Sequence, residues 1–351
     1  MRKAKKRWFP ALTAVLMTIS LTAVGAKAAV ESPKMLVPVG HTAGIKLFSE
    51  GVMVVDLADK IGDEASPAKN CGLKKGDMIE KVNGVSISST EHLQEYLQQE
   101  KGENVELTVS RGGKTLSLNA APAQNDDGVY CLGAWIRDSV AGIGTITFYD
   151  PETKRFGALG HGISDVDTAL LMPLSDGSIM DSQVKTVRRG AEGSPGELKG
   201  EFDLKNDAGT LYANTDAGVF GTLSGENDDF TRRAALPTAA AGEVHIGEAV
   251  ILANVQGDEV KEYTAEISRV YAGVPGNRNF LVTVTDDSLL EITGGIVQGM
   301  SGSPVIQNGK LVGAVTHVLV DDPTRGYAIF AENMLETAQG VADEKALKDA
   351  S

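Results

Sequence analysis

The alternation of hydrophobic and polar positions changes along the chain and predicts two different folded units. After residue 100, short runs rich in Val, Ile and Thr recur between turns of Gly, Pro, Asn and Asp, which is typical of β-strands. In chain order these runs begin at positions 141, 155, 248, 262, 279, 311 and 326. No long amphipathic helix alternates with them, so the pattern predicts a barrel or sandwich and not a parallel α/β sheet.

A different pattern covers residues 35–122. A strand pattern at 51–57 precedes an Asn83-Gly84 turn, a helix pattern after Ser89 and a hairpin around Gly112-Gly113. This order resembles a PDZ domain, most specifically at residues 66–84.

The PDZ resemblance implies that an extended peptide binds as an added strand. Residues 43–47 are the candidate for the glycine-containing loop that offers backbone N–H groups to a chain end. The alternative is that this unit only packs against its neighbour. A polar stretch at 124–128 predicts a linker to the second unit, residues 125–345.

The first 30 residues have a distinct charge pattern. Five basic residues precede an apolar stretch from Trp8 to Val24, which predicts a signal sequence or membrane anchor over residues 1–30. Whether the segment is cleaved stays open. The positive charges predict that the rest of the chain is exported. The net charge of −14 argues against a nucleic-acid partner, because such a surface needs clustered Lys and Arg.

The cysteines and most histidines carry no recognisable chemistry. Cys71 and Cys131 are expected to be two buried thiols, since sequence alone cannot establish a bridge. No ligand spacing predicts a metal site, and we expect no cofactor. Four histidines are expected to be structural or on the surface, namely His41, His92, His245 and the strand residue His317.

One turn in the second unit carries candidate chemistry. Residues 298–304 read QGMSGSP, which places Ser301 between glycines and a proline ahead of an apolar run. The structural alternative is a simple turn between two strands. The chemical interpretation makes Ser301 a nucleophile, and Gly299 lets its own N–H and the serine N–H converge on one oxygen. The elbow motif of α/β-hydrolases does not fit, because residue 303 is serine and a strand follows.

A serine nucleophile needs a base, and His161 is the candidate. It lies between two glycines after a predicted strand, where a packed core histidine is not expected. The segments around His161 and Ser301, with the PDZ-like unit before them, resemble the SpoIVB peptidase family of spore-forming bacteria.

This resemblance covers nearly the whole chain. It implies a mainly β protein in which a small PDZ domain is followed by a trypsin-like β-barrel serine endopeptidase domain. It implies that the enzyme acts between the mother-cell and forespore membranes. The partners implied are a peptide or protein substrate, a membrane-bound regulatory protein and a second copy through the PDZ domain. Cleavage would lead to processing of a sigma-factor precursor, and the enzyme would also cleave itself near its N-terminus.

The family pattern also implies an acid that orients His161, and it places this acid at Asp286. Asp287 is adjacent and Asp165 follows His161 by four residues, so both stay open, and each also suits a turn. The predicted catalytic set is His161, Asp286, Ser301 and Gly299. The alternative functions are a non-catalytic PDZ adaptor with a degenerate peptidase fold and, with less support, a hydrolase of small esters.

Overall fold

The structure is a computed structural model that describes residues 33–225, 228–271 and 273–349. The predicted signal or anchor segment, residues 1–30, lies outside the described residues. Within the described ranges, no helix combines the length and hydropathy needed to span a bilayer. Strands dominate, which confirms the prediction of a mainly β chain.

The first barrel is a closed ring of strands built from both sides of the PDZ-like unit. Its elements and their short neighbours are β1 (Met35–Pro38), β2 (Thr42–Leu57), β9 (Ala123–Gln124), β10 (Tyr130–Cys131), β11 (Ala134–Asp150), β12 (Arg155–Ala158), β13 (Asp176–Arg188), β14 (Glu197–Thr215), β15 (Gly218–Leu223), α3 (Asp228–Thr231), β16 (Leu236–Pro237) and a 3₁₀ turn (Ala241–Glu243). Hydrogen-bonded pairing runs β11-β12-β15-β14-β13-β2 and closes from β2 to β11. The ring is staggered at β11, which pairs with β2 from Ala134 to Thr145 and with β12 from Ile146 to Asp150.

The PDZ-like unit is inserted into this barrel through β2 and β11. Its other elements are β3 (Lys60–Ile61), β4 (Glu64–Ala65), α1 (Pro67–Cys71), β5 (Met78–Val82), β6 (Val85–Ser86), α2 (Thr90–Glu100), β7 (Val105–Arg111) and β8 (Lys114–Ala120). The first half of β2 pairs with β11 and β13 in the barrel, whereas Val52 and Met53 pair with β5 in the inserted unit. The peptidase fold therefore begins before the PDZ-like unit, and not only after it as the domain boundaries at 122 and 125 imply.

Local turn chemistry follows the sequence. Asn83 and Gly84 both have positive φ, 47° and 79°, and join β5 to β6, as an Asn-Gly hairpin turn requires. The Ser89 side chain accepts from the His92 N–H and begins α2. The expected linker at 124–128 is instead a tight hairpin, because Asn125 closes the turn between β9 and β10 by accepting from the Val129 N–H.

The second barrel is closed by the remaining strands. Its elements are β17 (Gly247–Ala253), β18 (Lys261–Val270), β19 (Phe280–Val284), α4 (Asp287–Thr293), β20 (Pro304–Gln307), β21 (Lys310–Leu319), β22 (Asp322–Phe330) and α5 (Ala331–Asp349). The ring runs β17-β18-β19-β22-β21-β20 and encloses an aliphatic core with a stacked Phe280–Phe330 pair. The sequence pattern does not predict helix α5. The last strand-like run, which begins at position 326, forms a strand only to Phe330, and the helix begins at Ala331.

Candidate active site

The Ser301 turn connects α4 to β20 and passes close to the first barrel. Gly299 and Gly302 have φ of 97° and 96°, a region that favours glycine. A Cβ on Gly302 would lie 2.0 Å from the Thr145 carbonyl oxygen, so only glycine fits there. The Ser303 N–H donates to the Met300 carbonyl at 2.9 Å and closes the turn around Ser301.

The backbone of this turn is held by its carbonyl groups. The Thr145 hydroxyl donates to the Gly299 carbonyl at 2.7 Å, and the Thr145 N–H donates to the Ser301 carbonyl at 3.0 Å. Among the described residues, the N–H groups of Gly299 and Ser301 meet no acceptor. Two unpaired backbone donors on either side of Met300 are what an anion hole requires.

His161 follows β12 in a loop that reaches across to the second barrel. Leu159 and Gly160 have φ of 67° and 66°, and a Cβ on Gly160 would lie 2.9 Å from methyl groups of Ile329 and Thr316. The glycine therefore permits the contact between barrels that brings the histidine into the cleft.

The His161 ring is held by its own backbone. Nδ1 lies 2.8 Å from the Gly162 carbonyl, an acceptor, so Nδ1 carries the proton and Nε2 is free to accept one. Burial lowers the pKa of His161, and the bond to Gly162 opposes this shift only in part. The imidazole is thus neutral at neutral pH, the state that a general base needs.

His317 also lies in the site, although the sequence analysis assigned it a structural role. Its ring centroid lies 5.1 Å from that of His161, and burial, followed by the charges of His161 and Arg278, lowers the pKa of His317 to about 4. Thr316, the residue before His317, accepts a hydrogen bond through its carbonyl from the Ser301 hydroxyl at 2.8 Å. The sequence signal was available, since β21 follows the Ser301 turn after one hairpin and must return beside it.

Ser301, His161, Gly299 and His317 line one cavity of about 520 Å³ between the barrels. Of the described residues that line it, none carries an Asp, Glu, Lys or Arg side chain. Much of the wall is aliphatic, and includes Ile143, Leu159, Ile163, Ile296, Val318 and Val320.

The predicted acid does not join this site. Asp286 is the N-cap of α4, where its side chain accepts from the N–H groups of Ser288 and Leu289, both at 3.0 Å. The Ser288 hydroxyl bond is the largest cause of its lowered pKa. Asp287 is exposed in the first turn of α4. The strand end expected before Gly294 is thus a helix start, and Asp286 has the ordinary role of a capping residue.

Asp165 is buried but has other partners. It forms an ion pair with Arg137 of β11, and it accepts from the N–H groups of Asp167 and Thr168. It closes the turn after His161, as the alternative interpretation held. The Gly162 carbonyl, and no carboxylate in the described part of the chain, holds the His161 ring.

The candidate PDZ loop is also not where the sequence placed it. Residues 43–47 lie within β2, between β11 and β13, and a Cβ on Gly44 would be 2.5 Å from the Phe202 ring. This central strand cannot accept a peptide.

Cys71 and Cys131 are half-buried free thiols. His245 is exposed as expected, but His41 is buried against Phe230.

Two family models match parts of the chain. A family model described as SpoIVB peptidase S55 matches residues 128–335, and a PDZ domain model matches residues 62–111. A putative zinc metalloprotease of Lactococcus lactis is 38% identical over 108 residues, 31% of this chain and 24% of the relative. The zinc metalloprotease RasP of Shouchella clausii is 38% identical over 81 residues, 23% of this chain and 19% of the relative.

The chain therefore spans about a quarter or less of the length of these curated relatives. Among solved structures, the HtrA-type protease AlgW with a decapeptide is similar at 12% identity and a TM-score of 0.34, over 59% of this chain and 55% of that one. The PDZ domain of an SdrC-like protein from Listeria monocytogenes is similar at 22% identity and a TM-score of 0.22, over 25% of this chain and 87% of that one.

Proposed function

The chain belongs to the SpoIVB peptidase S55 family and is a serine peptidase with a PDZ domain, and on that premise we propose that it is an endopeptidase with Ser301 as nucleophile and His161 as base. One observation carries the proposal. Ser301, Gly299 and His161 come from two barrels and line the same cavity. A turn serine with only a structural role would not need a neutral histidine in the same cavity.

The reaction begins with a change in the Ser301 side chain. Its hydroxyl must leave the Thr316 carbonyl and turn to Nε2 of His161, a rotation about χ1. Oγ then attacks the peptide carbonyl carbon while its proton passes to Nε2. The oxyanion that forms accepts from the N–H groups of Gly299 and Ser301.

Collapse of the intermediate breaks the C–N bond, and Nε2 returns the proton to the leaving amine. A water molecule repeats the sequence on the acyl-enzyme. The Gly162 carbonyl keeps Nδ1 protonated throughout, so Nε2 remains the base. A neutral carbonyl stabilises the imidazolium less than a carboxylate does, so we expect slower turnover than a carboxylate-assisted site supports.

The cavity wall supports a preference for an apolar residue next to the scissile bond. Because no charged side chain of the described residues lines it, a charged residue next to the scissile bond would lose its hydration without compensation. The aliphatic wall favours an apolar residue there, at about 0.8 kcal/mol for each CH₂ group buried.

The biological role is the one that the family resemblance supports. The protein is exported or membrane-anchored through residues 1–30, and acts between mother-cell and forespore membranes. It cleaves a membrane-bound regulator, which leads to processing of a sigma-factor precursor, and it cleaves itself near its N-terminus. The basic and apolar N-terminal pattern supports the location.

The test is cleavage by the purified chain. Ser301→Ala and His161→Ala should each remove nearly all hydrolysis of an unstructured peptide, and the double variant should lose no more than either single one. Circular dichroism should be unchanged, because neither side chain fills the core. Equal cleavage by Ser301→Ala and the parent would refute the assignment of Ser301, whereas no cleavage by the folded parent would favour the alternative of a non-catalytic PDZ adaptor.

A further inference from the structure

Strand β11 has one free edge that connects the active site to the PDZ domain. On one side, β11 pairs with β2 from Ala134 to Thr145. On the other side it pairs with β12 only from Ile146 onward. Residues 134–143 therefore present an edge that no strand in the described part of the chain covers, and we call this segment the outer edge of β11.

The outer edge ends at the catalytic turn. The Ile146 N–H donates toward β2, to the His41 carbonyl, whereas the Thr145 N–H donates the other way, to the Ser301 carbonyl. Since N–H groups alternate along a strand, those of Ile143 and Ala141 point to the same side as that of Thr145. The edge therefore leads directly away from Ser301.

The edge is open where it borders the active site. Val140, Gly142 and Ile143 line the same cavity as Ser301. No atom lies within 4 Å of the position that a Cβ on Gly142 would take. Ala141 and Gly142 are exposed, and further along Trp135 is 57% exposed.

The other end of the edge faces helix α2 of the PDZ domain. The Thr90 N–H and hydroxyl donate to the Asp138 carboxylate at 2.8 and 3.1 Å. The side-chain amides of Gln94 and Gln98 donate to the Tyr130 carbonyl just before β11, at 2.9 and 2.7 Å. PDZ domains bind an extended peptide as a strand added to an exposed sheet edge. Strand β11 is therefore the strand beside the PDZ helix as well as a wall of the cleft.

We propose that the outer edge of β11 binds the substrate segment on the C-terminal side of the scissile bond, as an added strand that runs from Ser301 toward α2. The proposal rests on the proposed peptidase function. His161 gives its proton to the leaving amine and belongs to the same barrel as β11, so the leaving segment departs on this side. The length follows from the strand rise of about 3.4 Å per residue, which puts Asp138 about 17 Å from Ile143.

A substrate therefore needs about five extended residues after the cleavage site to reach α2. Shorter or folded leaving segments lose the added strand hydrogen bonds. This selects unstructured, strand-forming chain segments and makes the PDZ helix part of the substrate-binding surface. The occupant is the substrate itself, because the edge is continuous with the catalytic cavity.

The test is a series of peptides that share one sequence before the scissile bond and carry two, four, six or eight residues after it. With the parent enzyme, kcat/KM should rise about ten-fold or more between two and six residues and then level off, since each net strand hydrogen bond contributes several-fold. Single N-methyl groups on the eight-residue peptide should lower kcat/KM at every second position only, because alternate N–H groups face the enzyme.

A substitution in β11 tests the same edge on the enzyme. Ala141→Pro removes one outward N–H of β11. The ratio of kcat/KM for the peptide with eight residues after the scissile bond to that for the peptide with two should then fall from about ten toward one. Ala141→Ser keeps the N–H and should keep the ratio.

Cleavage of the two-residue peptide by the parent, and not by Ser301→Ala, tests the peptidase assignment separately. If cleavage depends on Ser301 but kcat/KM is equal for all peptide lengths, or the N-methyl effects do not alternate, the edge proposal is overturned and the peptidase assignment stands. If the parent cleaves none of the peptides, the proposed function fails and the edge proposal fails with it.

Discussion

Thr145 offers a direct test of how the anion hole is held. It is 1% exposed, and its hydroxyl donates to the Gly299 carbonyl at 2.7 Å. Thr145→Val keeps the side-chain shape and removes this donor, which leaves a buried carbonyl unsatisfied. The expected cost in the free energy of unfolding is roughly 2 kcal/mol, and the melting temperature should fall by about 4–8 °C.

Activity should fall as well, for a different reason. Once the Gly299 carbonyl is released, the Gly299–Met300 peptide unit, which lies between the two donor N–H groups, can rotate, and the anion hole loses its fixed geometry. Loss of a whole anion-hole donor costs about 10²–10³ in kcat, so a loosened one should cost about 10–100-fold. KM should change little, because the cavity wall is intact.

Thr147 supplies a matched control on the same strand. It is 0% exposed, and its hydroxyl has no hydrogen-bond partner among the described residues. Thr147→Val is therefore the same substitution at the same burial, but it removes an unsatisfied polar atom and should be neutral or stabilising by up to about 1 kcal/mol.

The two variants are compared by guanidinium chloride unfolding and by kcat on one peptide. Equal unfolding midpoints for Thr145→Val and Thr147→Val would show that the bond to Gly299 does not hold the turn. Loss of stability without loss of kcat would show that the hole keeps its shape without this bond.

Four further outcomes follow from the structure. Asp286→Ala should cost about 1 kcal/mol of stability as a lost helix cap and change kcat within a few-fold; a loss near 10⁴-fold would restore Asp286 as the catalytic acid. Activity should be full at neutral pH and fall on acidification only below about pH 6.5, because burial lowers the pKa of His161 and its neutral form is the base; a pH–rate profile with an apparent pKa above that value contradicts this. Stability should also fall as pH drops from 6.5 toward 4, because the unfolded chain binds protons there that the folded His317 resists, and His317→Asn should flatten the slope in urea midpoints across this window. Arg137→Met should cost roughly 2 kcal/mol or more by leaving the buried Asp165 carboxylate unpaired, and the double change with Asp165→Asn should recover part of that loss.

Much of this protein is determined locally and is therefore visible in the sequence. Period-two apolar runs, the Asn83-Gly84 turn and the Ser89 cap act over a few residues, so they predict strands, hairpins and helix α2 directly. The Ser301 turn is equally local, since glycine at 299 and 302 is required by positive φ and a close backbone approach.

Helix α4 shows where local patterns stop being decisive. Residues 284–287 can continue a strand or cap a helix, and the tertiary structure selects the cap at Asp286. The same holds for residues 43–47, whose glycine suits a loop but which pair on both sides within the first barrel.

Long-range contacts determine which groups that are distant along the chain meet in the fold. The closing of two barrels brings His317 beside His161, a pairing that no spacing along the chain encodes. The course of β11, from the PDZ helix at Asp138 to the catalytic turn at Thr145, likewise depends on long-range pairing with β2. Strand partners are selected by the burial of whole sheet faces across the fold. The candidate nucleophile and base can therefore be identified from local sequence, whereas their surroundings depend on the folded chain.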